Sequence, residues 1–188
     1  MRGDLVLRAQ AGDQQAFAEL VGDSIERLYR IARLIVHDDE AARDGVQEAL
    51  ISAWVGLPGL RDPGRFDAWI HRLLVRECLR VAGQARRQTA LSLMVRPAAH
   101  VALSDSSGVV ELRDQLEGAF RQLPIDARAV LVLHYYADLG DAAGAAAMGI
   151  PVGTYRSRLS RAKQSLRAAL AADGRAFESP RESSHDSA

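Results

Sequence analysis

The sequence predicts an all-α protein of two small helical domains joined by a flexible linker, the second domain containing a helix-turn-helix. Three observations predict it. Ala, Leu and Arg dominate while aromatic residues reach only 5%, and Ala and straight-chain residues lose little conformational freedom in a helix. Apolar residues recur at helical steps in two long stretches, separated by one without periodicity. Near the end, a short helical pattern, a turn at Gly149-Ile150 and a longer helical pattern follow one another, the order of a helix-turn-helix.

The elements follow in chain order. Phe17, Leu20, Val21, Ile25, Leu28, Ile31, Ala32 and Ile35 recur at steps of three and four and mark one face of a long helix. Asp38 or Asp39 offers the next N-cap, with acids in the first turn, and Val46, Leu50, Ala53, Trp54 and Leu57 continue the apolar stripe. Residues 57–65, LPGLRDPGR, contain two Pro-Gly breaks and predict a loop. Phe66, Trp69, Ile70, Leu73, Leu74 and Cys78 mark a third helix, so residues 1–88 read as a helical bundle. Residues 89–110 hold Pro97 and the run SDSSG, and predict the linker. Patterning resumes with Leu112, Leu116, Phe120 and Leu123; Pro124 stops it, and Asp126 is expected to cap the next helix. The second domain spans residues 111–172, and the polar tail 173–188 predicts disorder.

Composition removes several classes of function. The single cysteine, Cys78, allows no internal disulfide and no cysteine metal framework, and the five histidines lack metal-ligand spacing. No metal, cofactor or catalytic residue is therefore expected, and the protein is not read as an enzyme. GDSI at residues 22–25 has the Gly-Asp-Ser of certain esterases, but it lies inside a helical pattern and no His follows an Asp by three residues. MRGDLVLRAQAGD has acids at Asp4 and Asp13 and no long apolar run, so neither a secretory signal nor membrane insertion is expected, and the expected location is cytoplasmic.

The formal net charge of +0 hides a strong segregation. Residues 13–48 carry nine acids against four arginines, residues 65–87 six arginines against two acids, and residues 142–172 five basic residues and no acid. Different segments should therefore meet different partners. On the last helix Val152, Tyr155 and Leu159 are expected to face inward, leaving Thr154, Arg156, Ser157, Arg158 and Arg161 outward or on the flanks. That places arginines and hydroxyls on the helix that would enter a major groove, where they can bind phosphates or guanine edges.

Five motifs in order resemble the extracytoplasmic-function (ECF) sigma factors, the compact branch of the bacterial sigma-70 family. AQAGDQQAFAEL resembles the first helical region, DGVQEALISAW the DxVQExFxxAW core, and RFDAWIHRLLVREC the FxxWLxxIARN helix. LPIDARAVLVLHYYADL and GIPVGTYRSRLSRAKQSL resemble LPxxxRxVLxLxYxxxL and GIPxGTVKSRLxRAxxxL. The resemblance implies an alternative sigma factor that binds core RNA polymerase and directs it to promoter DNA. It implies polymerase binding by Asp44, Gln47 and Glu48. It implies minus-ten element binding by Arg61, Arg65, Arg72, Arg76 and Arg80, and minus-thirty-five element binding by Thr154, Arg156, Ser157, Arg158 and Arg161. An anti-sigma factor is a further partner that the family admits. Two other functions stay open on the sequence: a helix-turn-helix regulator acting without polymerase, and an interaction module with weakened promoter reading.

Two departures from the family pattern carry expectations. Gly45 stands inside a helix, at a cost of about 1 kcal/mol relative to Ala. Gly144 stands where the family has Ile or Val, and Ala143 where it has an acid. The helix-turn-helix is thereby expected to lack an apolar anchor, at a cost of about 2 kcal/mol or more unless neighbours fill the gap.

Overall fold

Aspartates start two of the three long helices of the first half. In the computed structural model the backbone is described over residues 2–91 and 108–177, and side chains over 2–84 and 115–172. The centre of the expected linker and the tail from residue 178 lie outside the described residues. Helix α1 (Arg2–Gln10) turns at Gly12, whose φ of +94° favours glycine. Asp13 then caps α2 (Gln14–Val36), its side chain accepting from the Ala16 amide at 3.0 Å. α2 ends on His37 in the left-handed region, φ 58°. Asp38 caps α3 (Asp39–Gly56) through the Ala41 amide at 2.7 Å. Of the two capping candidates Asp38 is the cap, while Asp39 pairs with Arg33 at 2.5 Å.

The Pro-Gly stretch after α3 contains two single 3₁₀ turns, Leu57–Gly59 and Pro63–Arg65. The Gln10 amide donates to the carbonyls of Leu57 and Leu60 at 3.0 and 2.7 Å and ties this loop to α1. α4 (Phe66–Leu91) follows and packs along α3 and α2. Leu28, Ile31, Ile35, Ala49, Ala53, Ile70, Leu74 and Cys78 close the core between them.

The second half is built from α5 (Gly108–Gln122), α6 (Ile125–Leu131), α7 (Asp141–Met148) and α8 (Val152–Phe177). Pro124, not Asp126, occupies the cap position of α6, and Asp126 lies in its first turn. After α6 the backbone widens to π geometry over Val132–Tyr136. Gly149, φ +65°, makes the left-handed turn between α7 and α8. Helical backbone enters the expected linker from both sides, to Leu91 and from Gly108, and α8 continues to Phe177.

The two halves are packed together. α7 lies against α4, and α6 with the π segment lies against α2. Ile125, Ala129, Val132, Leu133, Ala137 and Ala147 belong to the same continuous core as the first bundle. Arg27 reaches across the seam to donate to the Ala137 carbonyl at 3.0 Å. A separate small core of Leu123, Val130, Leu131, Ala145, Tyr155, Leu159 and Ala162 holds the helix-turn-helix. Three residues expected to face inward are exposed instead: Ile25 at 42%, Leu116 at 46% and Val152 at 37%. Among the described residues no helix is long and apolar enough to cross a membrane.

Candidate functional site

Helical spacing puts Asp44, Gln47 and Glu48 on one side of α3, and all three are exposed. The same side continues into Ile51 and Val55, exposed at 49% and 73%. A shallow depression beside it is lined by Ile25, Tyr29, Arg43, Val46, Gln47, Leu50 and Ile51. Ile25 thus leaves the core stripe and joins a mixed acidic and apolar surface. Sequence reasoning found the acids and missed the apolar part. The available signal was apolar residues at positions four and seven after Gln47 and Glu48, outside the α3 core stripe.

The loop and α4 carry the second group. Arg61 and Arg65 are exposed; Arg65 pairs with Asp62 at 3.2 Å, and Asp62 also accepts from the Gly64 amide at 2.9 Å. Arg72, Arg76 and Arg80 follow at steps of four and lie exposed along α4. The structure brings Arg76 and Arg80 together on one residue that the sequence did not single out. Glu77 is 5% exposed, yet its carboxylate accepts from Arg76 at 2.9–3.0 Å and from Arg80 at 2.6 Å. Burial works to raise the Glu77 carboxyl, but the bonds and charges of Arg80 and Arg76 outweigh it and hold it below its ordinary value.

On α8, Arg156, Ser157 and Arg161 are exposed, and Thr154 and Arg158 are half-buried. The sequence segment has no acid, but the fold supplies two from outside it. Arg156 pairs with Asp141 of α7 at 2.6 Å, and Arg158 with Asp126 of α6 at 3.4 Å. Arg161 donates to the Ser157 carbonyl at 3.3 Å, and Ser157 in turn donates to the Thr154 carbonyl at 2.9 Å. Two arginines of the basic helix are therefore paired with acids of α6 and α7.

No gap exists beside Gly144. A Cβ built there would lie 2.8 Å from Cε2 of Tyr155, and closer still to its Cζ and Oη. Tyr155 is fully buried, its hydroxyl donating to the Val130 carbonyl at 3.3 Å. Burial and the Asp141 charge push its phenol up to about 12. The expected loss of an apolar anchor is thus corrected: the ring on α8 fills the place of the side chain missing from α7. Gly45 is different, since a Cβ there would meet only ordinary contacts, 3.5 Å from Cys78 Sγ.

Residues 9–89 match the family described as Sigma-70 region 2, and residues 113–166 match Sigma-70, region 4. The chain is 31% identical over 164 residues to the ECF RNA polymerase sigma factor SigM of Mycobacterium tuberculosis, covering 87% of this chain and 81% of SigM. It resembles the structure of CnrH in complex with the cytosolic domain of CnrY, with a TM-score of 0.65 and 26% identity over 92% of this chain and 98% of that one. The fold is also that of the sigma factor RpoE of Bartonella quintana, solved with the anti-sigma factor NepR, at TM-score 0.66 and 24% identity over 84% of this chain and 98% of that one.

Proposed function

The chain belongs to the sigma-70 family, among the ECF sigma factors, and from that premise we propose which of its faces performs each step. It is an alternative sigma factor: it binds core RNA polymerase and directs it to promoters. In this proposal α3 meets the polymerase through Asp44, Gln47 and Glu48, with Ile51 and Val55 completing the contact. Exposed apolar residues flanked by carboxylates suit a protein partner, because apolar area supplies affinity and charge sets the register. The loop residues Arg61 and Arg65 hold unstacked minus-ten bases, and Arg72, Arg76 and Arg80 track the strand. On α8, Arg156 or Arg158 reads a base edge of the minus-thirty-five element, Thr154 and Ser157 support it, and Arg161 takes a phosphate.

The observation that carries this reading is the separation of charge on adjoining helices: carboxylates and bare apolar side chains on α3, guanidiniums on α4. The charge of Glu48 acts on Arg80, so the two faces meet along one edge. A polymerase bound on one would lie beside DNA bound on the other. Charge reversal of Asp44 and Glu48 to Arg is expected to weaken capture of core polymerase and to lower run-off transcription about tenfold or more, without shifting the thermal melt of the chain. Wild-type capture by the double variant would remove α3 from the polymerase surface. Since RpoE was solved with an anti-sigma factor, we extend that class of partner to this chain as well. Competition between core polymerase and a candidate anti-sigma protein for the purified chain is the corresponding test.

A further inference from the structure

Glu77 is out of place on a helix that is to follow a polyanion. A carboxylate there repels phosphates, and burying it to 5% exposure costs solvation. A basic face intended only for general attraction would be stronger without it. Buried ion pairs are also weak evidence of added stability, since an apolar side chain of similar size often does as well.

The geometry shows what the carboxylate accomplishes. Its two oxygens are divided between two arginines: Oε1 takes Arg76 through Nε and Nη2, at 3.0 and 2.9 Å, and Oε2 takes Nε of Arg80 at 2.6 Å. Each guanidinium has a second anchor, Arg76 on the Ser52 hydroxyl of α3 at 3.3 Å and Arg80 on the Gln84 side-chain oxygen at 3.2 Å. Two long side chains that would otherwise sample many rotamers are held on either side of one carboxylate. Their outer edges stay exposed, with side-chain accessibilities of 60% and 42%. Prepaid side-chain ordering of this kind lowers the cost of binding.

We propose that Glu77 is a positioning residue for promoter opening: its buried carboxylate sets the spacing and direction of Arg76 and Arg80, so that the pair receives the separated minus-ten strand in a fixed register. This rests on the reading of α4 as the minus-ten helix, and the test separates the two. Holoenzyme is reconstituted from core polymerase and the full chain, on a promoter fragment recovered by transcribing sheared genomic DNA with the wild-type holoenzyme. Permanganate reactivity reports strand opening, and retention of a scrambled duplex reports general DNA binding.

Glu77→Gln keeps the shape and one acceptor but presents an N–H₂ to one of the two arginines. Strand opening is expected to fall about tenfold, the worth of one misplaced charge-assisted contact. Retention of scrambled duplex is expected to stay level or rise, because a negative charge has been removed. A purely structural role would lower both together and would not produce this split. If Arg76→Ala with Arg80→Ala lowers opening but Glu77→Gln leaves it at the wild-type level, the positioning role is overturned while the minus-ten reading stands. If neither variant lowers opening, the minus-ten reading of this part of α4 fails and the proposal with it. Should Glu77→Gln not fold, Arg76→Lys with Arg80→Lys decides: the charge is kept and the fork is lost. Wild-type opening by that pair overturns the proposal, and a loss near tenfold supports it.

Discussion

Gly144 and Tyr155 show how two residues that each look unfavourable can be one feature. Alone, a glycine in a short helix forfeits packing and backbone entropy, and a phenol in a small core must find a partner for its hydroxyl. Together the ring occupies the volume beside the glycine, and the hydroxyl reaches the Val130 carbonyl. Gly144→Ala therefore drives a methyl into a buried ring and is expected to destabilise the second bundle by about 1–3 kcal/mol, despite the better helix propensity of Ala. Gly144→Ile should be worse alone and largely restored when combined with Tyr155→Val, which returns both positions to the family pattern. Urea denaturation of the single and double variants gives the coupling; additive effects would break the pairing argument. Gly45 sets the contrast. Its Cβ would make ordinary contact with Cys78, so Gly45→Ala should raise stability by up to about 1 kcal/mol in the same assay. The sequence showed both glycines as departures but not their opposite signs, because the sign depends on what lies across a helix pair.

At the scale of elements, periodicity was a good guide wherever one helix face meets one core. The stripes on α2, α3 and α4 point inward as expected, apart from Ile25, which is exposed, and Trp54, which is half-buried with its ring edge-on to Phe17. It failed where apolar residues stay exposed on the far side of a helix or where the helix geometry changes. Ile51 and Val55 are apolar and exposed. The backbone takes π geometry after α6, and Tyr135 and Tyr136 within that segment are exposed. The candidate site was legible by residue type and position, through the five motifs, but not by pairing. Asp126 looked like a helix cap, and it instead pairs with Arg158 while Pro124 starts α6. That pair and Arg156–Asp141 must loosen if either arginine is to reach a base. Asp126→Asn is accordingly expected to tighten binding to duplex several-fold at low salt. The gain should shrink as salt rises, with preference for the minus-thirty-five sequence retained. Filter binding at two salt concentrations, against matched and scrambled duplexes, checks it; weaker binding would mean that Asp126 orients Arg158 and does not compete for it.

At the scale of the whole molecule, the shared core between the bundles conflicts with the span of a promoter. Elements centred near minus ten and minus thirty-five are about 25 base pairs apart, roughly 80–90 Å of duplex, whereas here α7 touches α4. If each bundle reads one element, as proposed, the seam must part, and two histidines are expected to make that step sensitive to pH. His37 and His71 lie on the first bundle against the second, each with a buried Nε2 that has no hydrogen-bond partner. Nδ1 of His71 already contacts the Asp67 carbonyl at 2.5 Å, so a proton on its Nε2 would be a buried donor without an acceptor. Burial, then the charges of Arg128, Arg121 and Arg33, pushes His37 down to about 4 from 6.5. Burial likewise lowers His71, more than the Asp67 carbonyl raises it, and Arg27 adds to the lowering. Glu117 lines the groove beside His37, and Asp23 and Asp138 line the cavity beside His71. For a base with a depressed value the closed form binds fewer protons than the parted or unfolded one. Its stability is therefore full above about pH 6.5 and is lost as pH falls from there toward 4. At pH 5.5 His37 alone should cost the closed form about 1 kcal/mol relative to pH 7.5, and His71 adds in the same direction. Small-angle scattering is expected to show a larger radius at pH 5.5, and thermal denaturation a lower midpoint. His37→Phe with His71→Leu should flatten both pH dependences. An unchanged radius between the two pH values would place the seam's strength in its apolar contacts alone and leave its opening to the polymerase.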